Sequence, residues 1–339
     1  MQSLQDQIAS FELPPIAEIK APIPDDPRIL SRHFKKLGYF FGADMVGICK
    51  IPNGSCYNEF TDDSSTSIEK RFNYGIVLLN VKHAKTIVSS YGREWIDDPT
   101  SFKVYQLCAT QALNMAGYLR HLGWDSEASA VKRYSTQVTP FIIESGLGEI
   151  SRLGIAVNPF VGAAFKASVV LTNLELEPDK PIDFGLQDYC NKCKICSDQC
   201  PMHAISDGEK VEYNGYETWP QNYRSCFTGV MSNKVGNICQ RCAKVCPWFS
   251  GDCGPEKFKD WDGSVDALHK MTDARAEELA ANNFIDPEEY TDKWWFPLVE
   301  EDDKYVEGEE FDYANQEKHM EKLAKYKEEG LNWYVPLKE

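Results

Sequence analysis

The apolar and polar positions divide the chain into a front part with regular elements, a cysteine-rich middle and a polar, tryptophan-bearing rear. Residues 28–50 read as an amphipathic helix, a glycine stop and an apolar strand. Tyr74–Val81 (YGIVLLNV) is an unbroken apolar run of strand length. Over 102–120 the spacing is helical, with Tyr105, Cys108, Ala109, Ala112 and Ala116 on one face. Small side chains along that stripe predict that something bulky packs close to it. Gly123 then stops the helix. Gly146, Gly148, Gly154 and Gly162 punctuate apolar pieces over 140–166, and 167–176 (ASVVLTNLEL) is a further strand. Helices alternating with strands over 28–185 predict an α/β or α+β core.

The flanks differ. Pro14, Pro15, Pro22, Pro24 and Pro27 mark residues 1–27 as an extended arm. Residues 53–70 are rich in Ser, Asp and Thr and read as a surface loop. No segment approaches the roughly 18 continuous apolar residues of a transmembrane helix. The first twenty residues carry neither a basic n-region nor twin Arg, so the expected location is cytoplasmic. The net charge of −16 argues against nucleic acid and anionic membrane as partners. Most of that charge lies at the rear: residues 256–339 hold 24 acidic and 11 basic side chains, so the front is nearly balanced. Residues 256–339 are expected to pack on the core as a C-terminal wrapping tail, burying Trp294, Trp295 and Phe296.

Nine of the twelve cysteines fall within 190–253. The first run is Cys190-x2-Cys193-x2-Cys196-x3-Cys200-Pro201, the bacterial ferredoxin spacing for a 4Fe-4S cluster. Thiolates at every third residue of a tight loop wrap three corners of a cube, and the cysteine before proline serves the other cluster. The second run, Cys226-x12-Cys239-x2-Cys242-x3-Cys246-Pro247, ends in the same way. Crossing the ligands assigns Cys190, Cys193, Cys196 and Cys246 to one cluster, and Cys200, Cys226, Cys239 and Cys242 to the other. Zinc knuckles also use CxxC pairs, but two tandem CxxC…CP runs favour iron–sulfur. Cys49, Cys56, Cys108 and Cys253 remain as buried or spare thiols. His83, His121 and His203 are isolated and read as no metal ligand.

The stretch GLGEISRLG at 146–154, then Asn158 to Gly162 (NPFVG), then PDKPIDFG at 178–185 ahead of the first cysteine run resembles the reductive dehalogenases. These cobalamin and iron–sulfur enzymes remove halogen from organic molecules. The likeness is good over 100–250 and looser over 28–100. It implies an α+β, nitroreductase-like cobalamin-binding domain over 28–185, a ferredoxin-like two-cluster module over 186–255, an organohalide substrate and an external electron donor of ferredoxin or flavodoxin type. The twin-Arg leader of respiratory members and the fused reductase of catabolic ones are not seen. Epoxyqueuosine reductases share the layout, but residues 131–140 (VKRYSTQVTP) lack their Asp-Thr-Ala-Pro signature. A non-catalytic ferredoxin-type electron carrier and a corrinoid chaperone are the other readings.

The resemblance places the proton donor at Tyr105, with Tyr134 as second choice. A free tyrosine, with a pKa of about 10, is a poor acid at neutral pH, and a nearby cation favours its deprotonated form. The implied cations are Lys132 and Lys166; Lys132 and Arg133 are interchangeable on sequence alone. Lys166 stands where members commonly carry Arg, which keeps the charge and loses the planar fork. Gly146, Gly148, Arg152, Asn158 and Gly162 are the implied cobalamin-binding positions. Trp95, Trp124 and Trp248 are candidates for the cavity wall, although a Trp in such a core usually only packs.

Overall fold

A computed structural model of the chain describes residues 6–8, 10–56, 68–82, 97–213, 216–232, 239–244, 246, 248, 298–301 and 304–307. The expectations for Trp95, His83, Cys253 and the tryptophans of the rear lie outside the described residues. So does the expected wrapping of the tail, of which only the antiparallel pair Leu298–Glu301 and Lys304–Glu307 is described.

The core is a four-stranded sheet with helices on both faces. It contains β1 (Met45–Lys50), β2 (Tyr74–Val81), β3 (Ser126–Ser129) and, after two two-residue strands, β6 (Phe165–Thr172), in the order β1-β2-β6-β3. Every pairing is antiparallel, which makes the fold α+β. The two central strands are covered on both faces, and for that reason they read in sequence as continuous apolar runs. On one face Ile76, Leu78 and Val170 meet α1 (Pro27–Phe40) and α3 (Asp97–His121). On the other, Val77, Leu79, Val169 and Leu171 meet α4 (Val138–Glu144) through Phe141. Gly75 lies under that ring: a Cβ there would sit 2.6 Å from the Phe141 ring carbons.

Helix α1 starts where its chemistry says it should. The Asp26 carboxylate caps it by accepting from the Arg28 N–H at 3.0 Å, and Pro27 occupies the first turn. Thus the last proline of the arm is the first helical residue. The arm itself lies along the end of α3: the Arg120 and Leu122 carbonyls accept from the Ala17 and Ala21 N–H groups, both at 2.9 Å. Helix α3 begins about a turn earlier than its apolar spacing predicts, because Pro99 is tolerated in a first turn. Its small-residue stripe (Cys108, Ala109, Ala112, Ala116) is buried against the sheet. The bulky partner of that stripe is therefore the protein's own sheet.

The short α2 (Ile68–Arg71) leads into β2, and β4 (Glu149–Ile150) pairs with β5 (Ala156–Val157) to close the glycine-rich loop. The cysteine segment follows with α5 (Leu186–Cys193), α6 (Ile195–Asp198), the ribbon β7 (Val211–Tyr213) and β8 (Tyr216–Thr218), α7 (Tyr223–Ser232) and α8 (Arg241–Lys244). Lys194 and Gln240 each follow the first cysteine of a CxxC pair, and both have positive φ (49° and 44°). The two cysteine runs thus share one backbone turn.

Candidate functional site

Tyr105 on α3 meets Lys166 on β6. The Lys166 ammonium lies over the phenol ring, with Nζ 4.5 Å from its centroid, a cation–π geometry. Both side chains are half-buried, so the pair keeps an open side. Asn80 on β2 stands opposite Lys166 in the ladder. Its amide donates to Cys108 Sγ at 3.1 Å and to Gln111 Oε1 at 2.7 Å, and Gln111 Nε2 returns a bond to Asn80 Oδ1. Burial pushes the Cys108 thiol up to about 12, against the opposing pull of the Asn80 amide and the Lys166 cation. Burial likewise holds Cys49 well above its ordinary value. Both are protonated, inert thiols.

Just past the end of β2, Lys82 is buried, and its ammonium donates to Ser101 Oγ and Gln240 Oε1, each at 3.3 Å. Gln240 lies between Cys239 and Cys242. The end of the sheet that carries Tyr105 and Lys166 is therefore joined directly to the second cysteine run.

The other expected site residues lie elsewhere. Lys132, at φ 62°, is ion-paired to Asp6 of the arm. Arg133 donates to the Phe11 carbonyl at 2.9 Å and to the Ala128 carbonyl at 3.1 Å. Among the described contacts, none brings Lys132 or Arg133 to Tyr105. Trp124 packs with the α1–α3 core under the Lys20 ammonium, and Trp248 packs edge-on against Phe184 and Tyr189.

In the glycine-rich loop the close approaches are made by protein backbone. A Cβ on Gly146, whose φ is +70°, would collide with the Lys180 carbonyl; one on Gly148 would lie 2.6 Å from the Val157 carbonyl. Asn158 is fully buried. Its amide donates to the Leu147 carbonyl at 2.9 Å, and its carbonyl accepts from the Phe160 and Val161 N–H groups. Gly162 closes that turn with backbone bonds to Asn158 in both directions. Gly146→Ala is expected to lower stability by about 1–3 kcal/mol, through backbone strain and the collision together. A denaturation midpoint equal to the parent's would contradict it.

Glu149 ties the loop to the cysteine segment by accepting from the Phe184 N–H at 2.8 Å and the Leu186 N–H at 3.3 Å. Burial raises its carboxyl above the ordinary range, more than those two bonds lower it. A carboxyl raised in the fold contributes stability below its unfolded pKa, about 4.3, and loses it as pH rises through the higher folded value. Glu149→Gln keeps an acceptor and removes the charge. The stability difference between variant and parent should therefore shift in the variant's favour from about pH 4 to pH 7. Parallel stability–pH curves for the two proteins would count against this assignment.

The thiols fall into two groups. Cys190, Cys193, Cys196 and Cys246 line one cavity, walled by Arg152, Leu153, Tyr189 and Ile195. Burial holds Cys246 well above the ordinary thiol value, and the neighbouring Cys190, Cys193 and Cys196 add to the effect. Burial pushes Cys242 up to about 12, reinforced by Cys239, Cys200 and Cys226. Among the described residues no three His, Cys, Asp or Glu side chains close on a single metal ion. A cubane spreads its thiolates around a larger body, and four thiols around one cavity fit that body. The buried Trp219 Nε1–H has no acceptor among the described residues and packs in the same core as Cys190. A larger surface hollow of about 360 Å³, lined by Lys50, Pro52 and Tyr74, lies at the far end of β1 and β2 and shares no residue with the thiol cavity.

The pattern described as a 4Fe-4S dicluster domain matches residues 189–249, which sets the zinc reading aside. Over 278 residues the chain is 25% identical to the tetrachloroethene reductive dehalogenase of Sulfurospirillum multivorans, covering 71% of this chain and 54% of that protein. A solved reductive dehalogenase, described in terms of B12-dependent dehalogenation, matches with a TM-score of 0.70 and 31% identity. That match covers 91% of this chain and 44% of the other. A shorter likeness, 31% over 135 residues, is to the epoxyqueuosine reductase of Leadbetterella byssophila, covering 35% of this chain and 43% of that protein. The chain thus spans about half the length of the relatives it matches. It is a homologue of the reductive dehalogenases, with their mixed helix-and-sheet fold and a 4Fe-4S dicluster domain, and the epoxyqueuosine reductases are its weaker relatives.

Proposed function

We propose that this chain is a reductive dehalogenase that replaces a carbon–halogen bond with a carbon–hydrogen bond. The observation that carries the reading is the Tyr105–Lys166 pair at the sheet end that Lys82 joins to the second cysteine run. A phenol and a cation at a sheet end that contacts the second cysteine run support a proton donor working with an electron-delivering module.

The reaction balances as one organohalide, two electrons and one proton giving the reduced carbon and halide. Cobalamin, when bound, supplies the cobalt centre that passes the two electrons to the carbon–halogen bond. Tyr105 gives its Oη proton to the carbon. The Lys166 ammonium over the ring balances the negative charge left on the phenol. The loop braced by Gly146, Gly148, Asn158 and Gly162 would hold the cobalamin. Lys132 remains proposed as a second cation, reaching the site only if its Asp6 pair opens.

The module takes single electrons from an external ferredoxin- or flavodoxin-type donor. One cluster is held by Cys190, Cys193, Cys196 and Cys246, and the other by Cys200, Cys226, Cys239 and Cys242. We divide the chain into an arm (1–27), a catalytic domain (28–185), the cluster module (186–255) and a C-terminal extension (256–339). The lack of the Asp-Thr-Ala-Pro signature over 131–140 supports a small-molecule substrate over nucleic acid, more than the net charge, which lies mostly in 256–339. Buried thiols at Cys49 and Cys108 fit a reducing, cytoplasmic setting. Among the described residues no helix is long and apolar enough to cross a membrane.

The test is anaerobic reconstitution with iron, sulfide and cobalamin, followed by halide release from a panel of halophenols and haloalkanes. Halide released only with cobalamin present supports the reading. Two clusters with no corrin uptake would make the chain an electron carrier instead.

A further inference from the structure

Arg152 is among the largest side chains in the protein that are fully buried, at 2% exposure. It sits in the loop between β4 and β5, and its guanidinium reaches into the cysteine segment. Nε donates to the Cys190 carbonyl at 2.9 Å; Nη1 donates to the carbonyls of Ser206 at 2.8 Å and Gly208 at 3.1 Å. Its face lies over the Trp219 ring, 4.8 Å from the centroid. These partners are neutral. Among the described residues no carboxylate pairs with this cation. A charge taken out of water with only carbonyls around it is oriented but not balanced, and such burial is expensive without a counter-charge.

The groups able to become anionic beside it are the thiols. Arg152 lines the cavity that Cys190, Cys193, Cys196 and Cys246 line. A cubane held by four thiolates is net negative, and more so by one charge once it takes an electron. A fixed cation in a dry wall favours that reduced state, because the interaction is little screened.

We propose that Arg152 is the counter-charge of the cluster held by Cys190, Cys193, Cys196 and Cys246, and that it raises the potential at which this cluster accepts an electron. Arg152 is a positioning and electrostatic residue for electron transfer; its partners are the cluster loop and the Trp219 ring, not substrate. The inference rests on the two-cluster reading and is independent of dehalogenation.

The test is a spectroscopically monitored reductive titration, with dithionite as reductant, of the full chain carrying both clusters, as parent, Arg152→Gln and Arg152→Lys. At fixed solution potential the reduced-to-oxidised ratio of one cluster should fall about tenfold or more in Arg152→Gln, equivalent to about 59 mV for one electron. The other cluster should be unchanged. Arg152→Lys loses the planar fork and keeps the charge, so it should stay within about threefold of the parent. Unchanged potentials in Arg152→Gln at full iron content would overturn the proposal. So would an equal shift in both variants, which marks a packing role. If Arg152→Gln fails to assemble the cluster, Arg152→Lys decides: assembly at the parental potential supports the counter-charge, and failure to assemble refutes it. Iron counting on the parent separates this from the cluster reading itself, which fails if the parent holds no clusters.

Discussion

Tyr105→Phe is expected to cut halide release by about 10²- to 10⁴-fold, the range a positioned proton donor contributes. That is about 3–5 kcal/mol of barrier. The loss should fall on kcat, because the phenyl ring keeps the packing on α3 and the contact with Lys166 while removing only the proton. Cluster content and cobalamin uptake should match the parent. Lys166→Gln is expected to lower the rate less, with Lys166→Arg restoring part of it, since Arg keeps the charge over the ring. The measurement is single-turnover halide release from enzyme reduced beforehand, so that electron supply does not mask the chemical step. A Tyr105→Phe rate equal to the parent's would remove Tyr105 as the acid and return attention to Tyr134.

Cys246→Ala should eliminate the cluster of the other cysteine run. Its thiol shares a cavity with Cys190, Cys193 and Cys196, and burial together with those three neighbours holds it well above the ordinary thiol value. Iron should fall from about eight to about four per chain, and the surviving spectrum should match that of Cys190→Ala. Cys200→Ala should instead share its spectrum with Cys242→Ala. Steady-state halide release should be lost in all four variants, because electrons then lack one step of their path. A Cys246→Ala spectrum matching Cys239→Ala would mean that each run holds its own four cysteines, and the crossed assignment would fall. Because the ligands must be thiolates, cluster assembly releases protons, so loading should weaken as pH falls.

Much of the fold is legible along the chain. β2 and β6 are covered on both faces, so their apolar runs identify them, although β6 ends at Thr172 and not at Leu176. Asn173 leaves the sheet there: its side chain accepts from the Asp125 N–H at 3.0 Å, and Thr172 Oγ1 accepts from the Leu174 N–H. β3 is not legible, because its sequence is Ser-Glu-Ala-Ser. Its serines are buried only because each finds a partner: Ser126 Oγ donates to the Ala116 carbonyl, and Ser129 Oγ pairs with Thr136 Oγ1 at 2.8 Å. Polar residues normally mark a surface, and these bonds exist only once α3 and the turn after β3 are in place. The small-residue face of α3 was legible as a packing surface, but its partner was not.

The candidate site divides in the same way. Cysteine spacing is local, since a turn of fixed length sets which thiolates reach one cube, so the sequence alone determined the two runs and the kind of cofactor they hold. It also determined the central strands and the helix that bears Tyr105. Only the tertiary structure decided that Lys166 covers Tyr105, that Lys132 goes to the arm, and that Arg152 turns into the thiol cavity. Those outcomes depend on which strand a helix settles against and which carbonyls a loop presents. Each is a contact between segments distant along the chain, where no periodicity acts and the balance between burial and charge chooses the partner.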